Sequence, residues 1–368
     1  MADTLWLLTA RARGTQHWVC NTDAEAEAIR IGQHEYPVIL NKGSTYTSSY
    51  VQSPRSAWLR YPYQEALRAM PPAFQWLAQP LLKLLLCPLS TLLSTSRLEH
   101  AVCPGNYLIS TNLYPEWESG ELGLLTEKLC TAYPQKPFMI RNICPDIHPA
   151  LADELQQKGW LLLPSRLVYL CDPSDPAVWK HNHVRKDMKL LGDGYTEHLQ
   201  HEQLQPQDLP ALRSLFRQLF IDKYSCLNPD FSDDFFSFCL ETRFLELHAL
   251  RWQGRYAGVL GLYQHPDSGW ITTPLIGYDT SLPKEAGIYR RLIALLLREA
   301  RNKNLRLHYS SGAGHFKRAR GGKPVMEYSA VYGTHLPAGP RLALQSIHKL
   351  LQQLAPSILK KADGLDSY

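Results

Sequence analysis

The sequence has no CxxC pair and no repeated cysteine spacing, although it contains eight cysteines. They run from Cys20 to Cys239, and their neighbours are mostly apolar, as in KLLLCPL and TEKLCTAY. Zinc sites and the disulfide frameworks of small secreted domains both place cysteines at characteristic spacings. We therefore expect free, mostly buried thiols in a reducing compartment, and no metal site.

Signals for export and for a membrane span are also missing. The N-terminal stretch MADTLWLLTARARG places an acid before a short apolar run and has no cleavage-like site, which argues against a signal peptide. The leucine-rich stretch 74–96 is interrupted by Pro80, Lys83 and Pro88, so it lacks the ~18 to 20 uninterrupted apolar residues of a membrane span. These features predict a cytoplasmic protein.

The leucine-rich stretch 74–96 is open to three interpretations. Its two prolines favour a buried hairpin of two short helices. A lid over an acyl chain and a contact with a membrane surface are the alternatives.

Charged residues make up only 20% of the chain, and the formal net charge is +5. This excess is far smaller than that of a protein that wraps DNA, and it suits an anionic ligand bound at one patch. With 45% hydrophobic residues, a chain of 368 residues is long enough for two domains with a substantial core. We therefore expect a globular protein with no DNA partner.

The same order of secondary structure is predicted twice along the chain. Period-2 patterns predict the strands, and a period of 3.6 residues predicts the helices. The elements of the second half are a meander over 248–279, a helix over 283–304, and strands over 305–311 and 324–336. Those of the first half are strands over 105–115, 137–143 and 160–172, and helices over 120–133 and 148–159.

Landmarks of the two halves align at an offset of roughly 165 residues. Gly120 aligns with Gly287, and the strand 137–143 aligns with 305–311. This agreement indicates duplication of one α/β unit, with chance similarity of two α/β layers as the alternative. The predicted domains are 1–172, with a leucine-rich helical insertion at about 64–98, then 173–338, which would carry the active centre, and a C-terminal helix over 339–368.

The stretch SSGAGHFKRARGG, residues 310–322, combines small and basic residues. It is not a P-loop, because GK[ST] is absent, and it is not a dinucleotide fingerprint, because Lys317 stands where a third glycine is needed. Small residues let a ligand approach the backbone, and basic side chains suit an anion. The candidate phosphate-binding residues are Ser310, Ser311, Gly312, Lys317 and Arg318. A tight connection with solvated charges is the alternative.

A second place for an anion is the start of the long helix, in DTSLPKEAGIYRRL. Backbone N–H groups at a helix N-terminus attract anions, and Gly287, Arg290 and Arg291 lie in its first turns. A plain helix cap is the alternative. The basic stretch 179–189 is either a wall for phosphates or a solvated helix face, and its two histidines point to different sides, which argues against a metal pair.

The stretch FIDKYSCLNPDFSDDFF, residues 220–236, places polar groups among aromatic rings, as a small-molecule pocket requires. A loop between two helices is the alternative. The candidate substrate-binding residues are Lys223, Tyr224, Asn228 and Tyr278. No GxSxG elbow surrounds Ser310 or Ser311, which argues against a serine hydrolase.

The meander, the helix AGIYRRL, the strand ending in SSGAGHFK, and the segments RGG and EYSAVYGTHLP resemble the FemAB-type branch of the GNAT acyltransferase superfamily. FemAB-type proteins carry two GNAT-like domains in tandem, which fits the duplication, and VRKDMKLL is similar to a basic helix that they place after the junction. The resemblance covers most of residues 100–336. It implies an α/β (α+β) fold of two GNAT-like (acyl-CoA N-acyltransferase) domains, each a mixed twisted sheet flanked by helices.

The resemblance also implies transfer of an acyl group to the amine of a small-molecule acceptor, with a biosynthetic role. GNAT enzymes usually take the acyl group from a coenzyme A thioester, and FemAB-type enzymes often take an amino acid from aminoacyl-tRNA. The GNAT pyrophosphate turn, Q/RxxGxG/A, is reduced here to Gly287, which weakens the coenzyme A assignment. A pair of GNAT-like domains that only binds a ligand is the third alternative.

Amide formation needs a neutral amine, donors for the oxyanion and an acid for the leaving group. Backbone amides near Gly277 could supply the donors. Asp279 or His308 could take the amine proton, and Tyr289 or Tyr332 could serve as the acid.

Overall fold

The computed structural model describes residues 2–31, 34–115, 117–118, 120–265 and 267–365. The strands of this part are β1 Ala24–Ile31, β2 His34–Asn41, β3 Val102–Pro104, β4 Phe138–Ile143, β5 Leu161–Cys171, β6 Thr196–Leu199, β7 Glu246–Trp252, β8 Arg255–Gln264, β9 Trp270–Tyr278, β10 Arg306–Ser311 and β11 Lys323–Tyr332. The helices are α1 Ala2–Arg13, α2 Tyr61–Arg68, α3 Pro72–Ser96, α4 Glu121–Ala132, α5 Pro149–Gln157, α6 Pro176–Lys180, α7 Asn182–Leu191, α8 Leu209–Arg217, α9 Asp233–Thr242, α10 Ile288–Asn302, α11 Gly314–Arg318 and α12 Ala338–Ala362.

The strands form one mixed sheet in the order β1-β2-β3-β4-β11-β5-β10-β9-β8-β7-β6. Two neighbouring pairs, β3 with β4 and β9 with β10, are parallel, and the other pairs are antiparallel. The predicted α/β (α+β) class is confirmed. The strands of the two halves form one continuous sheet.

The two halves exchange strands at the centre of this sheet. β11, from the second half, lies between β4 and β5 of the first half. Its pairing with β5 runs from Lys323 opposite Leu170 to Val331 opposite Leu161. Most of β5 is buried, as expected for a central strand that is covered on both faces. The strands therefore cross the boundary predicted at 172, and this pairing holds the halves together.

In both halves the sheet is interrupted where one parallel pair of strands separates. The parallel pair β3/β4 is joined only at Val102 and Phe138, and the parallel pair β9/β10 is joined no further than Thr272 and His308. Near the ends of β4 and β10, Asn142 and Ser310 both adopt the left-handed backbone region, at φ 61° and 59°. Equivalent splits and equivalent backbone turns support the predicted duplication.

The prediction of a strand over 105–115 was wrong. That segment has no strand and fills the gap between β3 and β4, where the Tyr114 hydroxyl donates to the Arg141 carbonyl at 2.7 Å. Asparagine side chains bond to the backbone here, as when Asn106 Oδ1 accepts from the Leu108 N–H at 3.0 Å. Such local bonds compete with the ladder of a sheet.

The buried hairpin predicted for residues 74–96 was also wrong. These residues belong to a single helix, α3, which spans 25 residues with Pro80 and Pro88 inside it. Its buried residues are Leu89, Leu93 and Ser96, at the C-terminal end. Among the described residues, α3 is the one helix long and apolar enough to cross a membrane, by length and composition alone.

All eight cysteines are free thiols. Cys103, Cys144, Cys171 and Cys239 are buried, and burial raises the pKa of the first three to about 12. Three others, Cys20, Cys87 and Cys226, are exposed, which the prediction of mostly buried thiols did not anticipate.

Candidate functional site

The candidate site lies where β9 and β10 part. The Thr272 hydroxyl donates to the His308 carbonyl at 2.9 Å, at the last paired position of these strands. Beyond this point β9 continues to Tyr278, whereas β10 ends at Ser311. In α/β sheets, ligands bind at the carboxyl ends of strands that separate in this way.

Aromatic side chains from separate segments line the open end. The Tyr289 ring lies 5.9 Å from Tyr278 and 5.0 Å from Phe316. The Lys223 Nζ lies 5.8 Å from the centre of the Tyr278 ring. We call Tyr224, Tyr278, Tyr289 and Phe316 the aromatic wall. Tyr224 is its exposed member, at 41% exposure, and lies near enough to Tyr278 for the two hydroxyls to influence each other. The structure thus brings together Lys223, Tyr224, Tyr278 and Tyr289.

Burial also raises the pKa of Tyr289. Its hydroxyl is therefore protonated at neutral pH and can donate a hydrogen bond or a proton. The raised pKa keeps the hydroxyl protonated but also makes it a weaker acid, and its role as the acid stays a prediction.

Asn228 lies outside the aromatic wall and is buried. Its amide donates to the Phe220 carbonyl at 2.8 Å and to the Ser225 carbonyl at 3.1 Å. The Asn21 amide donates to the Asn228 carbonyl at 2.8 Å. Asn228 therefore closes the turn after the π-helical segment 218–224 and ties it to the first half.

Lys317 of α11 is buried rather than solvated. Its ammonium donates to the carbonyls of Ser310 and Ser311, at 3.2 and 2.7 Å. An ammonium carries three N–H donors, so these bonds leave one unused. Burial, and then the charge of Arg166, lower the pKa of Lys317 to about 7. A partly neutral amine thus lies at the end of β10.

The rest of the basic loop serves a different contact. Arg318 donates to the Tyr169 hydroxyl at 3.2 Å and to the Asp363 carbonyl at 3.1 Å. A Cβ at Gly314 would collide with the same Tyr169 and Asp363 side chains. Arg318 and Gly314 therefore dock α11 against the end of α12, while Gly312 is exposed with a positive φ.

A buried polar cluster lies directly beneath the site. Arg166 of β5 and Glu327 of β11 form an ion pair, with Arg166 Nη2 2.6 Å from Glu327 Oε1. The Asn142 amide donates to the same oxygen at 3.0 Å, and the His308 Nε2 lies 3.4 Å from Glu327 Oε2. Burial alone would raise the pKa of Glu327, but Arg166, His308 and Asn142 together lower it to about 2. Glu327 is therefore a fixed negative charge.

Both ring nitrogens of His308 face polar groups of the protein. Its Nδ1 accepts a hydrogen bond from the Ser310 N–H at 3.0 Å, so in the neutral ring Nε2 carries the proton and faces Glu327. The side chain is almost fully buried. His308 therefore supports the turn at the end of β10, and any role as a base requires relay through a neighbour.

The sequence reasoning missed Arg166, Glu327 and Asn142. A signal for the first two was present, because each is a charged residue inside an otherwise apolar strand, in LPSRLVYL and PVMEYSAVY. A buried charge needs a partner of the opposite sign. Pairing the two single charges would have required the strand exchange, which no local pattern indicates.

The start of α10 is covered by the end of α7. Arg291 is buried and its guanidinium donates to both Asp193 carboxylate oxygens at 2.7 Å. Arg290 Nε donates to Asp187 at 2.7 Å, and Gly287 is left-handed, with φ 61°, against the side chain of Leu190. The arginines predicted for a phosphate are thus committed to carboxylates, and their role in binding a cofactor stays a prediction.

Two other predicted residues have structural contacts at the mouth of the site. Asp279 Oδ1 accepts from the Ser281 N–H at 2.9 Å and closes the turn after β9. A Cβ at Gly277 would collide with the backbone of Phe216, so this glycine is required for packing on α8. Both residues thus have local structural contacts, and their roles at the site stay predictions.

Tyr332 is not brought to the site. It stacks on Phe138 of the first half, with ring centres 5.9 Å apart. Val325 is the β11 residue level with Ser311, because both face Val168 of β5. Tyr332 lies seven residues further along β11, about 23 Å away at ~3.3 Å per residue. The role of Tyr332 as the acid stays a prediction, and this geometry does not bring it to the candidate site.

An exposed basic face lies beside α10. Its residues are the exposed Lys180, Arg185, Lys186 and Lys189 of α6 and α7, and we call them the basic face. The acid within this segment, Asp187, points inward and is buried. The positive charge of this face is therefore not balanced by its own helices.

No protein-family profile and no curated protein matches the sequence. Among solved structures, FemX matches with a TM-score of 0.53 and 9% identity, over 94% of this chain and 93% of FemX. L-PGS from Bacillus licheniformis matches 62% of this chain and 76% of its own, with a TM-score of 0.45 and 12% identity. A GCN5-related N-acetyltransferase from Kribbella flavida matches 65% of this chain and 84% of its own, with a TM-score of 0.34 and 12% identity.

FemX thus aligns with nearly the whole chain, including both halves. At 9% identity this likeness concerns the fold alone, and the two lower TM-scores add nothing to it. Together with the mixed sheet and the repeated splits, it confirms that the chain has the FemAB-type, GNAT-like fold that its sequence predicted.

Proposed function

We propose that the chain is an N-acyltransferase that forms an amide at the open end between β9 and β10. The observation that carries this proposal is the position of Lys317, a buried amine beside the strand end with one unused N–H donor. The chain shares the fold of FemX, and sheets of this kind bind ligands where neighbouring strands part, which is the basis for placing the reacting carbonyl here.

In the proposed step the acceptor nitrogen attacks the acyl carbon, and the bond from that carbon to the carrier oxygen or sulfur breaks. Negative charge develops on the carbonyl oxygen, where the third N–H of protonated Lys317 stabilises it. The proton of the amine leaves to water, the leaving atom accepts a proton from the Tyr289 hydroxyl, and water returns a proton to Tyr289. Glu327 and Arg166 hold the strand ends in place.

Two observations favour an aminoacyl-tRNA over coenzyme A as the carrier. The arginines at the start of α10 are paired with Asp187 and Asp193, so they are not available to a pyrophosphate. The basic face, in contrast, is exposed and unbalanced, as contact with a nucleic-acid backbone requires. A small-molecule amine would enter past the aromatic wall.

Binding of the two carriers distinguishes these donors. Retention of bulk tRNA is measured at about 50 and 200 mM salt, and the melting temperature is measured with acetyl-CoA and with a long-chain acyl-CoA. Salt-sensitive retention of tRNA with no shift from either thioester supports the proposed donor. A thermal shift with a coenzyme A ester, without tRNA retention, would make coenzyme A the donor instead. No response to any carrier would favour a pair of domains that only binds another ligand.

A further inference from the structure

The N-terminal two thirds of α3 expose large apolar side chains. The exposed residues are Phe74, Trp76, Leu77, Leu81, Leu84 and Leu85. Leu84 and Leu85 are 70% and 67% exposed. A contiguous apolar surface of this kind marks a site of contact with a partner or a lipid.

This apolar surface covers more than one face of the helix. At about 100° per residue, Phe74, Leu81 and Leu85 share one side, and Leu77 and Leu84 lie next to it. Trp76 lies on a different side, with Lys83 near it. A single packed partner covers one stripe of a helix, whereas an apolar medium covers a wide arc.

The fully buried residues of α3 lie in its C-terminal part, and a narrow half-buried stripe of the N-terminal part packs on the protein. Leu89 and Leu93 are buried, and Arg55 donates to the Ser90 and Ser94 hydroxyls at 2.8 and 2.7 Å. The remaining stretch, 72–88, is about 25 Å long at ~1.5 Å per residue. This is shorter than the ~30 Å hydrocarbon core of a bilayer, so the helix can lie along a membrane surface but does not suit a span.

The charges within α3 and on the exposed side of α12 are positive, although Arg68, just before α3, pairs with Glu65. Residues 66–98 contain no Asp or Glu, and their cations are Arg68, Lys83 and Arg97. The neighbouring helix α12 adds four exposed cations, Arg341, Lys349, Lys360 and Lys361. Within the described part of 338–365 the one acid is Asp363, which pairs with Arg318. The apolar surface is thus bordered by positive charge, which complements anionic headgroups.

Trp76 and Lys83 have the chemistry of a lipid interface. Tryptophan is enriched at the depth of the headgroups, because its apolar ring contacts the acyl chains while its N–H donates to water or headgroups. A lysine can extend its apolar stem along the helix and place its ammonium among the headgroups. A protein partner explains the leucines equally well, but it does not explain a wide apolar arc framed by cations.

We propose that α3, with α12 beside it, is an interfacial anchor that docks the protein on an anionic membrane surface. Residues 74–85 lie in the boundary between headgroups and acyl chains, and the cations of α3 and α12 contact the headgroups. This docking does not depend on the acyl transfer proposed above, because it is tested by binding alone.

The test is flotation of the full chain with vesicles of phosphatidylcholine, with or without about one third phosphatidylglycerol, at low and high salt. The wild type is expected to float with anionic vesicles, at least tenfold more weakly with neutral vesicles, and less at high salt. The variant Leu81→Gln/Leu84→Gln/Leu85→Gln is expected to lose at least tenfold of its binding to anionic vesicles.

The matched control replaces three exposed leucines elsewhere, Leu5→Gln/Leu8→Gln/Leu124→Gln, and is expected to float like the wild type. Equal melting temperatures show that both variants fold. Equal losses in the two variants, equal binding to neutral and anionic vesicles, or no binding to either would overturn the proposal. A dimer that forms without lipid and is lost only in the α3 variant would overturn it too, because the surface would then be an interface between two copies.

Discussion

Arg166 and Glu327 face each other across the central strand pair, with the Arg166 Nη2 2.6 Å from Glu327 Oε1. Arg166 belongs to β5 of the first half, and Glu327 belongs to β11 of the second. The ion pair therefore links the two halves at the point where they exchange strands. The charge of Arg166, after burial, also lowers the pKa of Lys317.

Removing one charge of this pair should destabilise the fold strongly. Glu327→Gln leaves the Arg166 guanidinium poorly compensated, and loss of one partner of a buried pair costs on the order of 3–5 kcal/mol of unfolding free energy. Urea unfolding measures the change. The double variant Arg166→Met/Glu327→Gln removes both charges and should recover part of the loss. A single variant as stable as the wild type would show that the pair is not coupled to folding.

The same pair should make stability depend on acid. Because the folded-state pKa of Glu327 lies at about 2, below its ordinary value of 4.5, its stabilising contribution is present above about pH 4.5 and is lost as the pH falls towards 2. The wild type should therefore exceed Glu327→Gln in unfolding free energy at pH 5, and the difference should shrink towards pH 2. A difference that is constant with pH would contradict the assigned pKa.

Lys317 should oppose folding at neutral pH. Its pKa falls from 10.5 to about 7 in the folded protein, so the folded state binds the proton less well than the unfolded state. Stability should rise with pH between about 7 and 10.5 on this account. Lys317→Met should raise the melting temperature by a few degrees at pH 7, and this gain should vanish near pH 10.5. Equal melting temperatures at pH 7 would show that the amine is well solvated.

The basic face should govern binding of nucleic acid. Lys180→Glu/Lys186→Glu should weaken tRNA retention at least tenfold and reduce the salt slope by about one for each phosphate that the variant no longer binds. Filter binding across a salt series gives both quantities. The control Lys42→Glu/Lys158→Glu makes the same change in net charge at exposed lysines elsewhere. Equal effects of the two variants would assign the binding to net charge rather than to this face.

Much of the fold was predictable because its signals are local. The amphipathic period of Ile288–Asn302 predicted α10, and the apolar runs near 138–143 and 306–311 predicted two equivalent strands. The Asp175 carboxylate accepts from the Ala177 N–H at 2.8 Å, as an N-cap at that position predicts. The exchange of β5 and β11 has no local signal, because any apolar strand can pair with any other.

The site was less predictable, because burial decides what its side chains can do. A lysine between glycine and arginine residues is normally solvated, yet Lys317 is buried against Tyr169, with the end of α12 docked on the same helix through Asp363. Arg291, which was predicted to bind a phosphate, is instead paired with Asp193, almost one hundred positions earlier in the sequence. Contacts between distant segments set the charge and the availability of both groups.

The central claim is tested most directly by amide formation with Lys317 variants. Transfer of a labelled amino acid from aminoacyl-tRNA to an amine acceptor is followed by mass spectrometry at pH 6 to 9, with Lys317→Met and Lys317→Arg beside the wild type. The account predicts a loss of about 100-fold or more in Lys317→Met, partial activity in Lys317→Arg, and wild-type activity that falls above about pH 7 as the amine loses its proton. Full activity of a correctly folded Lys317→Met would contradict it.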